Sequence, residues 1–392
     1  NNNLLSVLGI DRNQIATIDL SKNTNLTSLS CQKNNMTSLD LSKNIKLKDL
    51  DCNFNLLTSL DISANIALTS LHCYQNIINS LDVSSNTFLT YLECSSNNLT
   101  TLNVSNNLSL TYLGFSSNNI ATFDVSKNTA LRELDFSATK VTHFDITANT
   151  YLTKLGCGLN NLNNIDISKN TNLTELDCQY SKLVSLDISN NTSLTKINCS
   201  SNLLTNLDVS KNVALETLEC NTNLLTGLDV SKNHSLITLS CSYNEIKSLD
   251  LTQNGILTQL HCYSNKLLNL NLKNGKNTIL KSSSLNFKAN PTLTCIQVDD
   301  ASYSDSNWSS SKDITANYNS DCNLYTAIPD AKFEQKLIAL GIDTDGENGL
   351  VSNANIATLT SLDVSNSNIT DLTGIEGFIG LTTLNCSSNN LK

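Results

Sequence analysis

Leu26, Leu29, Cys31, Met36, Leu39 and Leu41 are the apolar positions of one stretch, and they return 21 residues later as Leu47, Leu50, Cys52, Leu57, Leu60 and Ile62. The same step puts Cys31, Cys52, Cys73, Cys94, Cys157, Cys178, Cys199, Cys220, Cys241 and Cys262 on one register, with Phe115 and Phe136 filling the two gaps and Ile10 extending it backwards. Thirteen rungs without an insertion mark an internal repeat, in which each unit buries its apolar side only by stacking on its neighbours. Leu29-x-Cys31 and Leu39-x-Leu41 alternate, which is the period of a short strand with one buried face. Nothing in the repeats follows helical spacing over a helical length. The pattern predicts a repeat solenoid of the leucine-rich-repeat class: a flattened tube, mostly β and loop, with two short strands per coil on opposite sides. The second side is expected to be extended or turn-like.

Polar residues recur as strictly. Asn13, Asn34, Asn55, Asn76, Asn97 and Asn118 follow the centre of each rung by three residues, and Asn23, Asn44 and every 21st residue to Asn254 hold the other bend. An amide donates and accepts at once, so stacked Asn side chains can satisfy the backbone groups that a bend leaves unpaired. An Asp column (Asp19, Asp40, Asp61, Asp82, then Asp124 to Asp250, with Asn103 and Asn271 at two steps) accompanies the second strand. Its charges would repel at a strand spacing of roughly 4.8 Å, and nearby Ser, backbone donors and Lys22, Lys43 or Lys127 can offset that. One carboxylate per coil gives too few oxygens for calcium, which takes about six to eight. A Thr column (Thr27, Thr69, Thr90, Thr111, Thr153) invites an ice-binding reading, but Lys48, Arg132, Glu216 and Ile237 interrupt it.

The run LTSLxCxxNxLTSLDVSKNTxL, as in Leu26 to Leu47, resembles leucine-rich-repeat proteins secreted by Bacteroidota and, more loosely, those of the internalin type. The resemblance covers essentially the whole chain and implies surface or secreted binding proteins, hence an extracellular or cell-surface location. The ten in-register cysteines read as buried free thiols. Their Cβ vectors run parallel in a stack, which disfavours pairing, and Phe replaces Cys in the column, which marks an apolar slot. Cys295 and Cys322 leave the register and flank Trp308; the resemblance implies that they form the disulfide of a C-terminal cap, which a solenoid needs over its last apolar rung.

Beyond the cap, Asp330 to Gly341 reads as a short helix, with Asp330 as N-cap, Phe333, Leu337, Ile338 and Leu340 as the apolar side and Gly341 as the stop. Leu359, Leu362 and Val364, then Leu381, Leu384 and Cys386, start rungs spaced by 22. The expected layout is a solenoid over 1–290 without its N-terminal cap, a disulfide-closed cap over 291–322, a linker over 323–328, a helical cap of a second array over 329–358 and the start of that array over 359–392. The chain begins inside a repeat at Asn1 and stops inside another at Lys392, as a fragment of a longer protein would.

A net charge of −10 argues against a nucleic-acid partner, and no apolar run is long enough for a membrane span. His72, His143, His234 and His261 sit on different rungs without a nucleophile beside them, and no catalytic motif is present, so an enzyme is not expected. Asp343, Asp345 and Glu347 have the acid spacing of a small calcium loop, but the Gly comes too early for an EF-hand; a polar turn is the plainer reading, with structural calcium as its rival.

Binding is read from outward positions beside the Cys strand, where most residues are Ser, Thr or Asn. His72, Tyr74, Tyr91, Glu93 and Tyr112 break that monotony on three consecutive rungs, followed by Glu133 and Asp135; Tyr243, His261 and Tyr263 form a second group. Tyr buries much area while keeping a polar tip, which suits a binding surface. The expected function is non-enzymatic recognition or adhesion, with a protein or surface glycan as partner. The alternative is a structural spacer or self-associating surface element without a dedicated ligand.

Overall fold

The structure, a computed structural model, describes residues 2–322, 325–344 and 346–392. A 14-stranded parallel sheet runs from Val7–Gly9 to Leu285–Asn286, one short strand per coil. Neighbouring strands pair at the repeat period, so that Leu92 lies beside Leu71 and Leu113. The ladder extends past each strand, with Cys94 N donating to Gly114 O at 2.8 Å. Inward from this wall, Leu89, Leu92, Cys94, Leu99, Leu102 and Val104 of a typical coil are all buried. Each fully buried aliphatic side chain of this kind stabilises the fold by about 1.5–3 kcal/mol.

The opposite wall departs from the expectation of a strand in every coil. Only Ser248–Asp250, Asn269–Asn271, Cys295–Gln297 and Asn317–Asn319 pair there, as a 4-stranded parallel sheet at the C-terminal end of the tube. In earlier coils this run is extended but unladdered. Backbone bonds along one wall already fix the coil spacing at roughly 4.8 Å, and the other wall packs through side chains such as Ile62, Val83 and Val104. Its Asp residues do not stack as bare charges. Each caps its own turn: Ser84 N donates to Asp82 Oδ1 at 2.9 Å, and Thr147 N to Asp145 Oδ1 at 2.8 Å.

Both bends carry Asn ladders, of unequal completeness. Asn97 Nδ2 donates to Cys73 O and Cys94 O, each at 3.0 Å, while its Oδ1 accepts from Ile78 N. On the second bend Asn107 Nδ2 donates to Val83 O and Asn86 O, but its buried Oδ1 has no protein donor among the described residues. The first ladder is interrupted at Thr139 and Ser181, whose hydroxyls satisfy some of the same carbonyls. Thr139 Oγ1 donates to Phe136 O, and Ser181 Oγ donates to Cys157 O. The residue before each rung of the first ladder adopts a left-handed backbone with φ of 52–57° in fourteen coils, from Arg12 to Ala289, and none is Gly. Such a conformation costs a non-Gly residue roughly 1–2 kcal/mol; the amide clamp beside it holds the bend in place.

The Cys column continues beyond Cys262. Phe287 enters it four residues later than the 21-residue step would place it, after short turns at Asn277–Ile279 and Ser282–Ser284. Helix α1 (Ala301–Trp308), capped by Asp300, brings Trp308 over the core, where Nε1 donates to Leu280 O at 3.2 Å. Cys295 and Cys322 are bonded to each other, with Cα atoms 5.8 Å apart, and the ten in-register cysteines are free and buried. Burial pushes those thiols up, Cys31 to about 12.

Residues from Ile328 onward gather a separate small core of Ile328, Phe333, Leu337, Val351, Ile356, Leu362, Val364, Ile369 and Phe378. Helix α2 (Ala331–Ala339) starts at Asp330, whose carboxylate accepts from Lys332 N and Phe333 N. Burial pushes that carboxyl up, but hydrogen bonds from Thr370, Phe333 and Asp371 outweigh it and hold it well below the usual range. Leu340 does not join the apolar side; it is the C-cap and is exposed, because the chain turns out through Gly341 at φ 70°. Glu334 is buried instead, accepting from the backbone N–H groups of Asn348 and Gly349. Ser361–Asp363 and Thr383–Asn385 pair in parallel with Leu362 beside Leu384.

Candidate functional site

The strand wall presents two outward positions per coil, on either side of the buried Leu. Reading the first across successive coils gives Ser70, Tyr91, Tyr112, Glu133, Lys154, Glu175 and Lys196; the second gives His72, Glu93, Gly114, Asp135, Gly156, Asp177 and Asn198. Ladder spacing is close to the thickness of two stacked rings, so aromatic residues on adjacent coils fall face to face. His72 and Tyr91 stack with centroids 4.5 Å apart, and Tyr91 and Tyr112 with centroids 4.1 Å apart and planes 5° from parallel. Three coils therefore share one aromatic stack.

Glu93 is locked beneath it. Tyr112 Oη donates to Glu93 Oε2 at 2.6 Å, and Ser95 N donates to Oε1 at 2.9 Å. Burial first, then the neighbouring Glu93, raise the Tyr112 phenol above its ordinary value; burial also raises Tyr91. Tyr74 belongs elsewhere: it lies past the strand, edge-on to Phe54 at 5.0 Å, with Lys33 Nζ over the Phe54 ring.

Beyond Tyr112 the wall turns acidic and is notched by glycine. A Cβ on Gly114 would lie 2.5 Å from Glu93 Oε2, and one on Gly156 would lie 2.7 Å from Asp135 Oδ1. Only a residue without a side chain lets these carboxylates lean along the sheet. The result is a groove of about 340 Å³ running from Tyr112 past Asp135, Gly156 and Asp177 to Glu219. Asp135 Oδ1 accepts from Ser137 N, and Asp177 Oδ1 from Gln179 N. Lys154 and Glu175 form an exposed ion pair at 3.1 Å along the rim. Burial raises the Asp135 carboxyl above its ordinary range, with Glu93 and Asp177 adding to the effect.

Of the residues expected from sequence, His72, Tyr91, Glu93, Tyr112, Glu133 and Asp135 lie on one continuous surface. Tyr243 and Tyr263 meet edge to face at 5.2 Å, well along the tube; Tyr243 occupies a left-handed bend position and His261 the outward side of Gln259–His261. The Thr column carries a structural bond: Thr90 Oγ1 donates to Thr69 O at 3.0 Å. That engages the hydroxyls an ice surface would need. Sequence reasoning missed Gly114, Gly156, Asp177 and Glu219. Their signal was the alternation Glu93–Gly114–Asp135–Gly156–Asp177, visible only when outward positions are read across coils rather than along the chain.

In the small C-terminal unit Asp343 is buried, Glu347 accepts from Gln335 Nε2, and Asp345 lies outside the described residues. Among the described residues no three His, Cys, Asp or Glu side chains converge as a metal site would require, and no helix is long and apolar enough to cross a membrane.

No family model matches the chain. Internalin J of Listeria monocytogenes is 33% identical over 133 residues, which is 31% of this chain and 14% of that protein. The solved functional domain of InlJ from Listeria monocytogenes, which includes a cysteine ladder, is 36% identical with a TM-score of 0.67, covering 76% of this chain and 70% of that one. An internalin from the same species, InlF, shares the fold at a TM-score of 0.64 and 21% identity, over 68% of this chain and 82% of its own. These likenesses carry the internalin part of the resemblance seen in the sequence.

Proposed function

The chain belongs to the internalin-like leucine-rich-repeat proteins, and on that premise we propose that it is a recognition module that grips a protein or surface glycan outside the cell through its strand wall. The fold is typical of protein-binding modules. The observation that carries the reading is the stack of His72, Tyr91 and Tyr112 running into the groove. On the opposite wall the outward column holds Asp from coil to coil, with Asn103 and Asn271 as its substitutes. Aromatic side chains on a rigid sheet offer area at little entropic cost, which is how binding surfaces concentrate their energy. The Tyr243–Tyr263 pair with His261 is a second, smaller contact region in this reading. A spacer without a ligand would have no use for a wall whose first outward position drops Ser, Thr and Asn over six coils, Tyr91 to Lys196, in favour of Tyr, Glu and Lys.

Residues 291–322 close the solenoid and 329–358 open a second array that begins at 359, a modular layout suited to a surface protein. The test is a protein and glycan array probed with the chain. Tyr91→Ala combined with Tyr112→Ala should abolish the strongest signal, and an unchanged signal removes the strand wall from consideration.

A further inference from the structure

We propose that the groove over Gly156 is an arginine subsite: it takes the guanidinium of an arginine-bearing segment of the protein partner. This rests on the recognition reading above and names the chemistry it selects. Three features converge. The groove is cut into the sheet where Gly156 lacks a side chain, and a Cβ there would lie 2.7 Å from Asp135 Oδ1. Its floor alternates carboxylate with glycine, leaving room between Asp135 and Asp177 for a planar group that donates to both sides. Its near end is lined by Tyr112, whose one face is covered by Tyr91 and whose other face has no ring against it among the described residues. Guanidinium is flat, stacks on aromatic faces and donates in a fork that matches carboxylates, whereas an ammonium is a point charge without a plane to stack.

Two lysines, Lys154 and Lys196, line the groove against five carboxylates, those of Glu133, Asp135, Glu175, Asp177 and Glu219. Lys154 is engaged by Glu175 at the rim. Asp135 is engaged by the N–H and the hydroxyl of Ser137, and Glu133 and Glu219 have no side-chain hydrogen-bond or ion-pair partner among the described residues. The surplus negative charge is thus concentrated where the sheet is indented.

The probe is a fluorescein-labelled oligo-arginine peptide, read by anisotropy at physiological salt. Asp135→Asn with Asp177→Asn keeps the turn bonds to Ser137 N and Gln179 N and should weaken binding by about tenfold or more. Gly156→Val keeps the negative charge but fills the groove and pushes the Asp135 carboxylate aside; it should weaken binding to a similar degree. Asp145→Asn with Asp187→Asn removes the same charge from the opposite wall and should leave affinity unchanged. Equal weakening by the two Asp pairs, full binding by Gly156→Val, or equal affinity for oligo-lysine would each overturn the proposal. If oligo-arginine fails to bind while the Tyr91 and Tyr112 substitutions still abolish partner binding, the subsite falls and the recognition surface stands.

Discussion

The two long walls of the tube are written in the same repeat, yet only one of them varies. On the Asp wall the outward side chain has a structural role, since Asp82 or Asp145 accepts from a backbone N–H two residues on. Replacing it strands that donor, so the residue type is fixed coil after coil. On the strand wall the backbone is satisfied by neighbouring coils. The first outward position there answers no backbone donor and becomes Tyr, Glu or Lys, whereas the second accepts from the N–H two residues on at Glu93, Asp135 and Asp177 and gives that bond up where it becomes Gly114 or Gly156. Freedom to specialise follows from where the backbone sends its hydrogen bonds.

The largest effect should come from the layer both walls share. Leu92→Ala, in the fully buried position behind the strand wall, should cost about 2–5 kcal/mol in urea unfolding. A loss as small as that of a surface residue would mean that the coils are not tightly packed. Next come the bends. Asn97→Ala strands Ile78 N, at about 1–3 kcal/mol for a donor left buried, while Cys73 O and Cys94 O keep the amides of Asn76 and Asn118. Asn107→Ala leaves Val83 O and Asn86 O with the N–H groups of Asn86 and Leu89 and removes an oxygen that has no protein donor among the described residues, so it should cost less in the same assay. Equal losses would show that the ladders are equivalent.

The comparison sharpens with pH, because the two walls titrate in opposite senses. Asp82 and Asp145 are held below their ordinary value of 3.8 by hydrogen bonds from Ser84 and Thr147. Their contribution is present above that value and is lost as pH falls through the lower folded values. Asp135 is raised by burial, so its contribution is present below 3.8 and is lost as pH rises through the folded value. Melting temperatures followed from pH 7 to pH 3 should therefore show Asp135→Asn above the parent at pH 7, with the gap closing towards pH 4. Asp82→Ala should lie below the parent at pH 7, and its deficit should shrink only below pH 4. Two parallel curves would erase the distinction. The smallest effect belongs to the rim: Lys154→Ala should change stability by no more than about 0.5 kcal/mol, and a larger loss would give the first outward position of the strand wall a structural duty after all.

Most of this architecture was legible in the sequence because a strict period fixes which residues stack. Cys31, Leu29 and Asn34 declared their coil and their direction at once. What escaped were features that depend on distance between coils. Whether the Leu39-x-Leu41 run forms a ladder is decided by the spacing of the far wall, which no single repeat encodes. Phe287 was hidden by an insertion that broke the period, and Leu340 followed the helical spacing but fell past the helix end. The aromatic patch was visible in His72, Tyr91 and Tyr112, but the notch beside it was not, because glycine looks like a gap when read along the chain.

The cysteine column bears on the order of events when this chain matures. Unfolded, it offers thirteen thiols, of which Cys295 and Cys322 alone are joined at the end. Thiolate attacks disulfide, so any exposed pair could cross-link wrongly while the chain is open in an oxidising medium. Once the coils stack, ten sulfurs are sealed in the core with their ionisation suppressed. Coiling must therefore outrun oxidation. In such a medium a ladder of unpaired cysteines is safe only where contacts between adjacent repeats withdraw the thiols before they find the wrong partner.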